Sequence, residues 1–545
     1  MDTLGWILVQ SFTAITLLYL SWHFWNFRQV RGPFVWPIVG DLPQMMCNHS
    51  RMHDWVTQQL QKFGGTYFTY VWIVPGMRKC SVVVTSDPVN IEYVLKTNFG
   101  NFPKGPDWQD AFHDLLGNGI FNSDGELWVA QRKTAALEFT AKSLKSFVVG
   151  SIWEQIHDGL LPVLTHAIAA QRRRPLDLQD VLLRFTFDNV CRISFGKDPR
   201  SLLPGLPANE FATAFELATE ATLQRVILPG MLWRLKRALR LGKERHFEQS
   251  LRLINKFAKD IIESRRELFS KCKTSDSKLF EDNNAEGADK LPQSDLLSRF
   301  MQKKDDQGVP YTDEFLRDTA INFILAGRDT SSVALTWFFW LLDKHPRVEQ
   351  AILQELLHIL SCRKDQTLPS DGSIAAAQKA RISFSYEELE KMSYLKAALS
   401  ETMRLYPPVP LETRYVLHKD TLPDGTNLLE GSHITYSIYA MGRLQSIWGH
   451  DCLEFKPERW LQNGRYKTPE NHFQFIAFNA GPRVCLGKEM AYLQMKCLAA
   501  ALILHYRIQI VPQHLIQQKI SLTLFMKHGL LVHLQPRNPN AASSL

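Results

Sequence analysis

The sequence predicts a mainly α-helical protein with small β-sheets, preceded by one N-terminal transmembrane helix. Three observations carry this reading. The run Leu4–Phe27 contains no Lys, Arg, Asp or Glu and is long enough to cross a bilayer as a helix. Helical patterns dominate the rest of the chain, most clearly from about Thr312 to Lys344. Strand-like runs are short, as in Cys80–Thr85 and Leu530–Leu534.

Taken in order, the apolar run comes first. Asp2 is the only charge before it, and Arg28 and Arg31 come directly after it, so the positive-inside rule leaves the bulk of the chain cytoplasmic. A cleavable signal would have a basic start and small residues at its end. Here Trp22, Phe24, Trp25 and Phe27 crowd that end, which favours a retained anchor over residues 1–27. Residues 28–45 form a basic, proline-rich hinge in which Gly32-Pro33-Phe34-Val35-Trp36-Pro37-Ile38-Val39-Gly40 makes a stiff elbow. Residues 46–545 show no internal boundary and no repeat, and are expected to form one catalytic domain. Polar stretches at about Lys271–Gln293 and Arg363–Ser383 lack an apolar period and read as surface loops. The long helix has Thr312 as N-cap, Asp313 and Glu314 in its first turn and Pro346 beyond its end. It would run roughly 50 Å. Asn322, Arg328 and Asp329 inside it would be costly in lipid, so it reads as a buried core helix.

The net charge of +8 is mild for 545 residues, and basic residues are dispersed among acids, which argues against nucleic acid as a partner. The eight cysteines include no C-x-x-C pair and read as reduced thiols. One of them stands apart. In Phe478-Asn479-Ala480-Gly481-Pro482-Arg483-Val484-Cys485-Leu486-Gly487, glycines on both sides let the backbone approach a flat ligand. Backbone N–H groups and the start of the next helix favour a thiolate at Cys485, and Arg483 can reach a carboxylate on the same ligand. Taken alone, Cys485 could also be an ordinary buried thiol. The spacing of Phe478, Gly481, Arg483, Cys485 and Gly487 resembles the haem-binding loop of cytochromes P450, F-x-x-G-x-R-x-C-x-G. That resemblance implies the cytochrome P450 fold, haem b as cofactor and Cys485 as the ligand to its iron.

Further motifs occur in the family's order. Ala326-Gly327-Arg328-Asp329-Thr330 looks like the oxygen-activation motif, in which Ala326 and Gly327 leave room for dioxygen, the Thr330 hydroxyl bonds oxygen or the Ala326 carbonyl, and Asp329 feeds protons from solvent. The same residues could make only a Thr–carbonyl bond and a surface Arg–Asp pair. Glu401 and Arg404, three apart on a helix, precede Pro457-Glu458-Arg459-Trp460, similar to the family's E-x-x-R and P-E-R-F/W elements, with Arg459 completing a buried triad. Trp128 and Arg132 resemble the W-x-x-x-R motif that binds a haem propionate, and Arg414 and Arg483 complete the implied set. Lys133, Lys488 and Lys496 are candidates for meeting an acidic redox partner, or for a merely solvated cationic face.

The resemblance implies a monooxygenase of the endoplasmic reticulum membrane, converting R–H, O2 and NADPH to R–OH and water with electrons from an NADPH–cytochrome P450 reductase. The residues Phe323–Ser332, Phe478–Arg483 and Lys488–Lys496 look like those of plant fatty-acid ω-hydroxylases that make cutin and suberin monomers. A long-chain fatty acid is the implied substrate, with alkanes or another lipid as the alternative, and Val409, Pro410, Leu411, Phe525 and Met526 as candidate channel residues. A haem-thiolate hydroperoxide isomerase or dehydratase, or a haem sensor, would not need the pair Asp329 and Thr330.

Overall fold

The computed structural model describes residues 3–71, 81–140, 142–170, 175–228, 230–279, 295–304, 308–363 and 381–537. The chain divides into two compact units, residues 1–105 with 411–452 and residues 106–410 with 453–545.

The first unit begins with helix α1, Thr3–Phe27, whose side chains are largely exposed and which is long and apolar enough to cross a membrane. Its two inner threonines satisfy themselves one turn back: the hydroxyls of Thr13 and Thr16 donate to the carbonyls of Val9 and Phe12, both at 2.8 Å. The elbow after it is stitched to strand β1, Thr66–Tyr70: Phe68 N donates to Arg31 O at 2.8 Å and Asp41 N to Tyr70 O at 2.7 Å. Gly32 is required by that approach, because a Cβ there would lie 2.0 Å from Phe68 O. Helix α2, Met52–Lys62, covers β1 with Trp55, Val56 and Leu60 against Tyr67, Val84 and Ala440. The sheet is completed by β2 (Ser81–Thr85), β3 (Leu411–Tyr415) and β4 (His433–Ser437), in the order β1-β2-β4-β3. β2 and β4 run parallel, with Val83 opposite Ile434, and the other pairings are antiparallel. Cys80, the first residue of the predicted strand, lies outside the described residues.

The second unit is mostly helical. The helices that matter for the site are α3 (Pro106–Leu116), α4 (Gly125–Thr140), α5 (Leu178–Phe195), α6 (Glu210–Ile227), α7 (Lys243–Leu279), α8 (Asp313–Lys344), α9 (Ser393–Leu405) and α10 (Lys488–His505). α8 is the predicted long helix. Thr312 caps it, its hydroxyl accepting from Phe315 N at 3.2 Å, and the helix ends before Pro346. Most of its residues are buried, including Asn322, Arg328 and Asp329, so it is a core helix. α7 continues to Leu279, so the polar stretch predicted as a loop from Lys271 starts as helix, an extension of the helix before it. Residues 280–294 and 364–380 of the two polar stretches lie outside the described residues. A small sheet pairs β5 (Tyr506–Ile510) with β6 (Leu531–Pro536), Ile508 opposite Leu534, and adds the two-residue strand Leu176–Asp177. The main apolar core of this unit joins α3, α5, α6, α7 and α8 through Phe112, Leu116, Phe187, Phe215, Ile254, Ile321 and Ile324.

Candidate active site

The Cys485 loop is a compact backbone structure. Asn479 and Gly481 take φ of 58° and 65°, and the second is where only glycine is free of strain. Cys485 N donates to Phe478 O at 2.8 Å, Val484 N to Gly481 O at 3.1 Å, and Asn479 N to Ile476 O at 2.8 Å. Gly487 is the N-cap of α10, and its N–H bonds the Cys485 thiol. Cys485 is solvent-exposed on one side and walled by protein on the others. Burial pushes its thiol up, against the pull of the Gly487 N–H, Arg132 and Lys488. A thiolate at this position therefore calls for a further cation, which a metal ion supplies.

Three of the predicted cofactor residues converge beside it. Arg132, on α4, donates to Val484 O at 2.7 Å. Arg483 lies over the Trp128 ring at 4.4 Å and Arg132 at 5.8 Å. Arg483 is also ion-paired to Asp124 at 2.6 Å and donates to Ser123 O at 2.9 Å. Sequence reasoning missed Asp124, although its place just before α4 in Ser-Asp-Gly-Glu marks a helix start. Phe478 packs on Tyr492, with ring centroids 5.3 Å apart. Arg414 lies in the first unit, on β3, where it is buried and paired to Glu412 at 3.0 Å; Lys104 holds the same carboxylate at 3.0 Å. Burial alone would raise the Glu412 carboxyl, but Lys104 and Arg414 hold it at about 2.

On α8, Thr330 Oγ1 donates to Ala326 O at 2.7 Å. Arg328 and Asp329 pair at 2.9 Å with both residues buried, so the surface pair open at the sequence level is instead an internal one. Burial pushes the Asp329 carboxyl up, and neighbouring Glu216 adds to this against Arg328. Gly327 is also required by packing: a Cβ there would come 2.5 Å from Val190 Cγ2 on α5, so its small size serves the close approach of two helices. Phe323, Ala326 and Thr330 share a face of α8 and are only partly buried, whereas Leu316, Thr319, Ala334 and Trp337 before and after them on that face are buried. The partly accessible stretch of that face is about 10 Å long. Leu486, next to Cys485, packs against the same apolar cluster as Phe323 and Leu325.

Glu401 is fully buried and its carboxylate is saturated. It accepts from Arg404 Nε and Nη2, both at 2.7 Å, from Arg459 Nε at 3.3 Å, from Lys456 N at 3.0 Å and from Trp460 Nε1 at 2.9 Å. Trp460 was the missed member, although a buried indole N–H needs an acceptor. Lys496 does not offer a surface charge: it is buried and donates to Leu389 O at 2.7 Å. Lys133 is exposed and Lys488 half-buried.

Among the channel candidates, Phe525 and Met526 are buried, Val409 is half-buried and Pro410 buried; Leu411 belongs to the first unit. The Phe525 segment is pinned by Leu524 N to Pro408 O at 2.9 Å and by Trp337 Nε1 to Leu524 O at 2.7 Å. Gln179 clamps the backbone of Met526 from both sides, at 3.0 and 2.9 Å.

Residues 30–535 match the family model Cytochrome P450. The chain belongs to the cytochrome P450 family. It is 43% identical over 523 residues to Cytochrome P450 86B1 of Arabidopsis thaliana, covering 96% of this chain and 89% of that one. It is 37% identical to Cytochrome P450 704B1 of Arabidopsis thaliana, over 96% of this chain and 99% of the relative. With Cytochrome P450 94A2 of Vicia sativa it shares 38% identity over 93% of this chain and 91% of that one. This cytochrome P450 is therefore a monooxygenase that uses haem b and, as the family does, electrons from NADPH through a reductase. The residues present fit that cofactor: an accessible thiol with an N–H donor and a neighbouring arginine, in a loop whose backbone glycine keeps open.

Proposed function

We propose that this cytochrome P450 hydroxylates long-chain fatty acids, chiefly at the terminal carbon, at the endoplasmic reticulum membrane with its catalytic body on the cytoplasmic side. The observation that carries the reading is the stripe Phe323, Ala326 and Thr330, partly accessible in the middle of α8, with Phe323 packed on the same apolar cluster as Leu486. A largely apolar stripe fits the end of an alkyl chain, and the resemblance of Phe323–Ser332 and the Cys485 loop to plant fatty-acid ω-hydroxylases selects the acid. Internal C–H bonds are weaker than terminal ones, so attack at the methyl end has to be imposed by positioning.

When bound, haem supplies dioxygen reduction and oxygen insertion into the C–H bond. Cys485 is proposed as its ligand, with Trp128, Arg132 and Arg483 beside a propionate. Thr330 holds its proton on the Ala326 carbonyl, and turning the hydroxyl away from that carbonyl would offer the proton to the site. Asp329, buried and paired to Arg328, would relay protons only when that pair opens. Glu401, Arg404, Arg459 and Trp460 keep a buried carboxylate saturated and act through the fold, not on substrate.

The test is reconstitution with an NADPH–cytochrome P450 reductase and a panel of fatty acids, alkanes and sterols, with product position read by mass spectrometry. The expected product is the terminal alcohol of the acid. Each CH2 removed from the chain should weaken binding by up to about 0.8 kcal/mol of lost burial. In-chain products across the panel, or turnover of sterols with none of the acids, would overturn the reading.

A further inference from the structure

The end of α1 is not a free tether. His23, though within the apolar helix, is fully buried, and its ring nitrogen Nε2 bonds the Val35 carbonyl at 2.9 Å. One turn earlier, the Tyr19 hydroxyl accepts from Ile38 N at 3.0 Å. Phe27 closes the arrangement, its ring 4.8 Å from that of His23 and 4.9 Å from that of Tyr70, edge to face. The elbow thus lies alongside the last turns of the helix.

Its outward side chains are apolar. Phe34, Trp36 and Ile38 are 51%, 46% and 58% exposed, and Phe34 and Trp36 meet edge to face at 5.1 Å. Residues Gly32–Gly40 contain no charged side chain. Ile38 has a φ of 65°, a region that β-branched residues rarely enter, and it keeps that strain while leaving its side chain exposed. On the adjoining helix Trp22, Phe24 and Trp25 are exposed too, with the Arg28 guanidinium 3.6 Å above the Trp25 ring.

Length decides where this patch lies. A hydrocarbon core of about 30 Å takes about 20 helical residues, and α1 has 25. If the surplus projects on the cytoplasmic side, the boundary falls near His23; if it projects on the other side, the boundary falls at Phe27. In either case Tyr19, and with it Ile38, lies at least about one turn below the boundary.

We propose that Phe34, Trp36 and Ile38 are immersed in the lipid bilayer, from the level where headgroups meet acyl chains downward into the acyl region, as an aromatic wedge beside the anchor helix. Tryptophan and other amphipathic rings are favoured at that depth, and burial there explains why an uncharged, aromatic elbow is left exposed by the protein. The inference rests on α1 spanning the membrane.

The full chain carries the test. A photoreactive benzoyl-phenylalanine is placed singly at Phe34, Trp36, Ile38, Phe12 in the middle of α1, or Leu453 of the second unit; Phe12 is 73% and Leu453 69% accessible. Each variant is reconstituted in phosphatidylcholine nanodiscs, irradiated, and its lipid adducts quantified by mass spectrometry. Adducts at the three elbow positions at least tenfold above Leu453 are expected. Tyr19→Phe, which deletes the acceptor for Ile38 N, should lower the yield at Ile38. Adducts at Phe12 with the elbow positions at the Leu453 level would overturn the wedge alone. Absence of adducts at Phe12 would overturn the spanning helix itself.

Discussion

Glu401→Gln is the most informative perturbation of the fold. The substitution keeps the shape of the side chain and removes its charge, leaving Arg404, itself 2% exposed, with no full counter-charge, because Arg459 is cationic as well. Breaking a buried ion pair in this way costs about 3–5 kcal/mol, since the remaining charge stays out of water. The exposed pair Lys96 and Glu92, at 2.9 Å on a helix surface, gives the contrast: Glu92→Gln should cost only about 0.3–0.5 kcal/mol. Trp460→Phe should cost about 1.5–3 kcal/mol, the range for one hydrogen bond to a charged group. Urea unfolding of the purified full chain, monitored by circular dichroism and pulse proteolysis, measures all three. The double variant Glu401→Gln, Arg404→Met should recover much of the loss, because the stranded charge has gone. A loss below about 1 kcal/mol in the single variant, or a double variant as unstable as the sum of its parts, would refute the argument that a stranded charge sets the cost.

Cys485→Ala should abolish the red-shifted Soret band of the reduced, carbon monoxide-bound protein; an unchanged spectrum would remove Cys485 as the ligand. Thr330→Ala, which loses only a Thr–carbonyl bond at 2.7 Å, should fold and bind haem yet release peroxide per NADPH consumed, and equal coupling to the parent would take Thr330 out of the chemistry. Gly327→Ala should cost about 1–3 kcal/mol through overpacking against Val190, with Val190→Ala restoring stability in the same unfolding assay. Glu412, held at about 2 against an ordinary 4.5, contributes stability that is complete above the unfolded value and lost as pH falls from about 4.5 toward 2. Glu412→Gln should therefore cost about 3 kcal/mol at pH 7 and flatten the acid limb of a stability–pH curve.

What could be read from the chain alone was local. The apolar N-terminal helix, the bounds and cap of α8, and the glycine-framed Cys485 loop depend on neighbours in sequence, where periodicity, capping and backbone freedom act over a few residues. The pairing of Glu401 with Arg404, three apart on one helix, was legible for the same reason, and Arg459 came from the family order of motifs. The partners that decide the cost and the purpose of these residues were not legible. Asp124 meets Arg483 across 359 positions, Trp460 meets Glu401 across 59, and Val190 explains Gly327 from another helix. Lys496 looked like a surface charge, but α10 is buried on every side from Tyr492 to Leu504, and its ammonium donates to Leu389 O inside the protein. The elbow read as a spacer until His23 and Tyr19 were seen to hold it along α1. Composition and spacing specify what a residue can bond, but the burial that makes a bond costly to lose exists only once distant segments close around it.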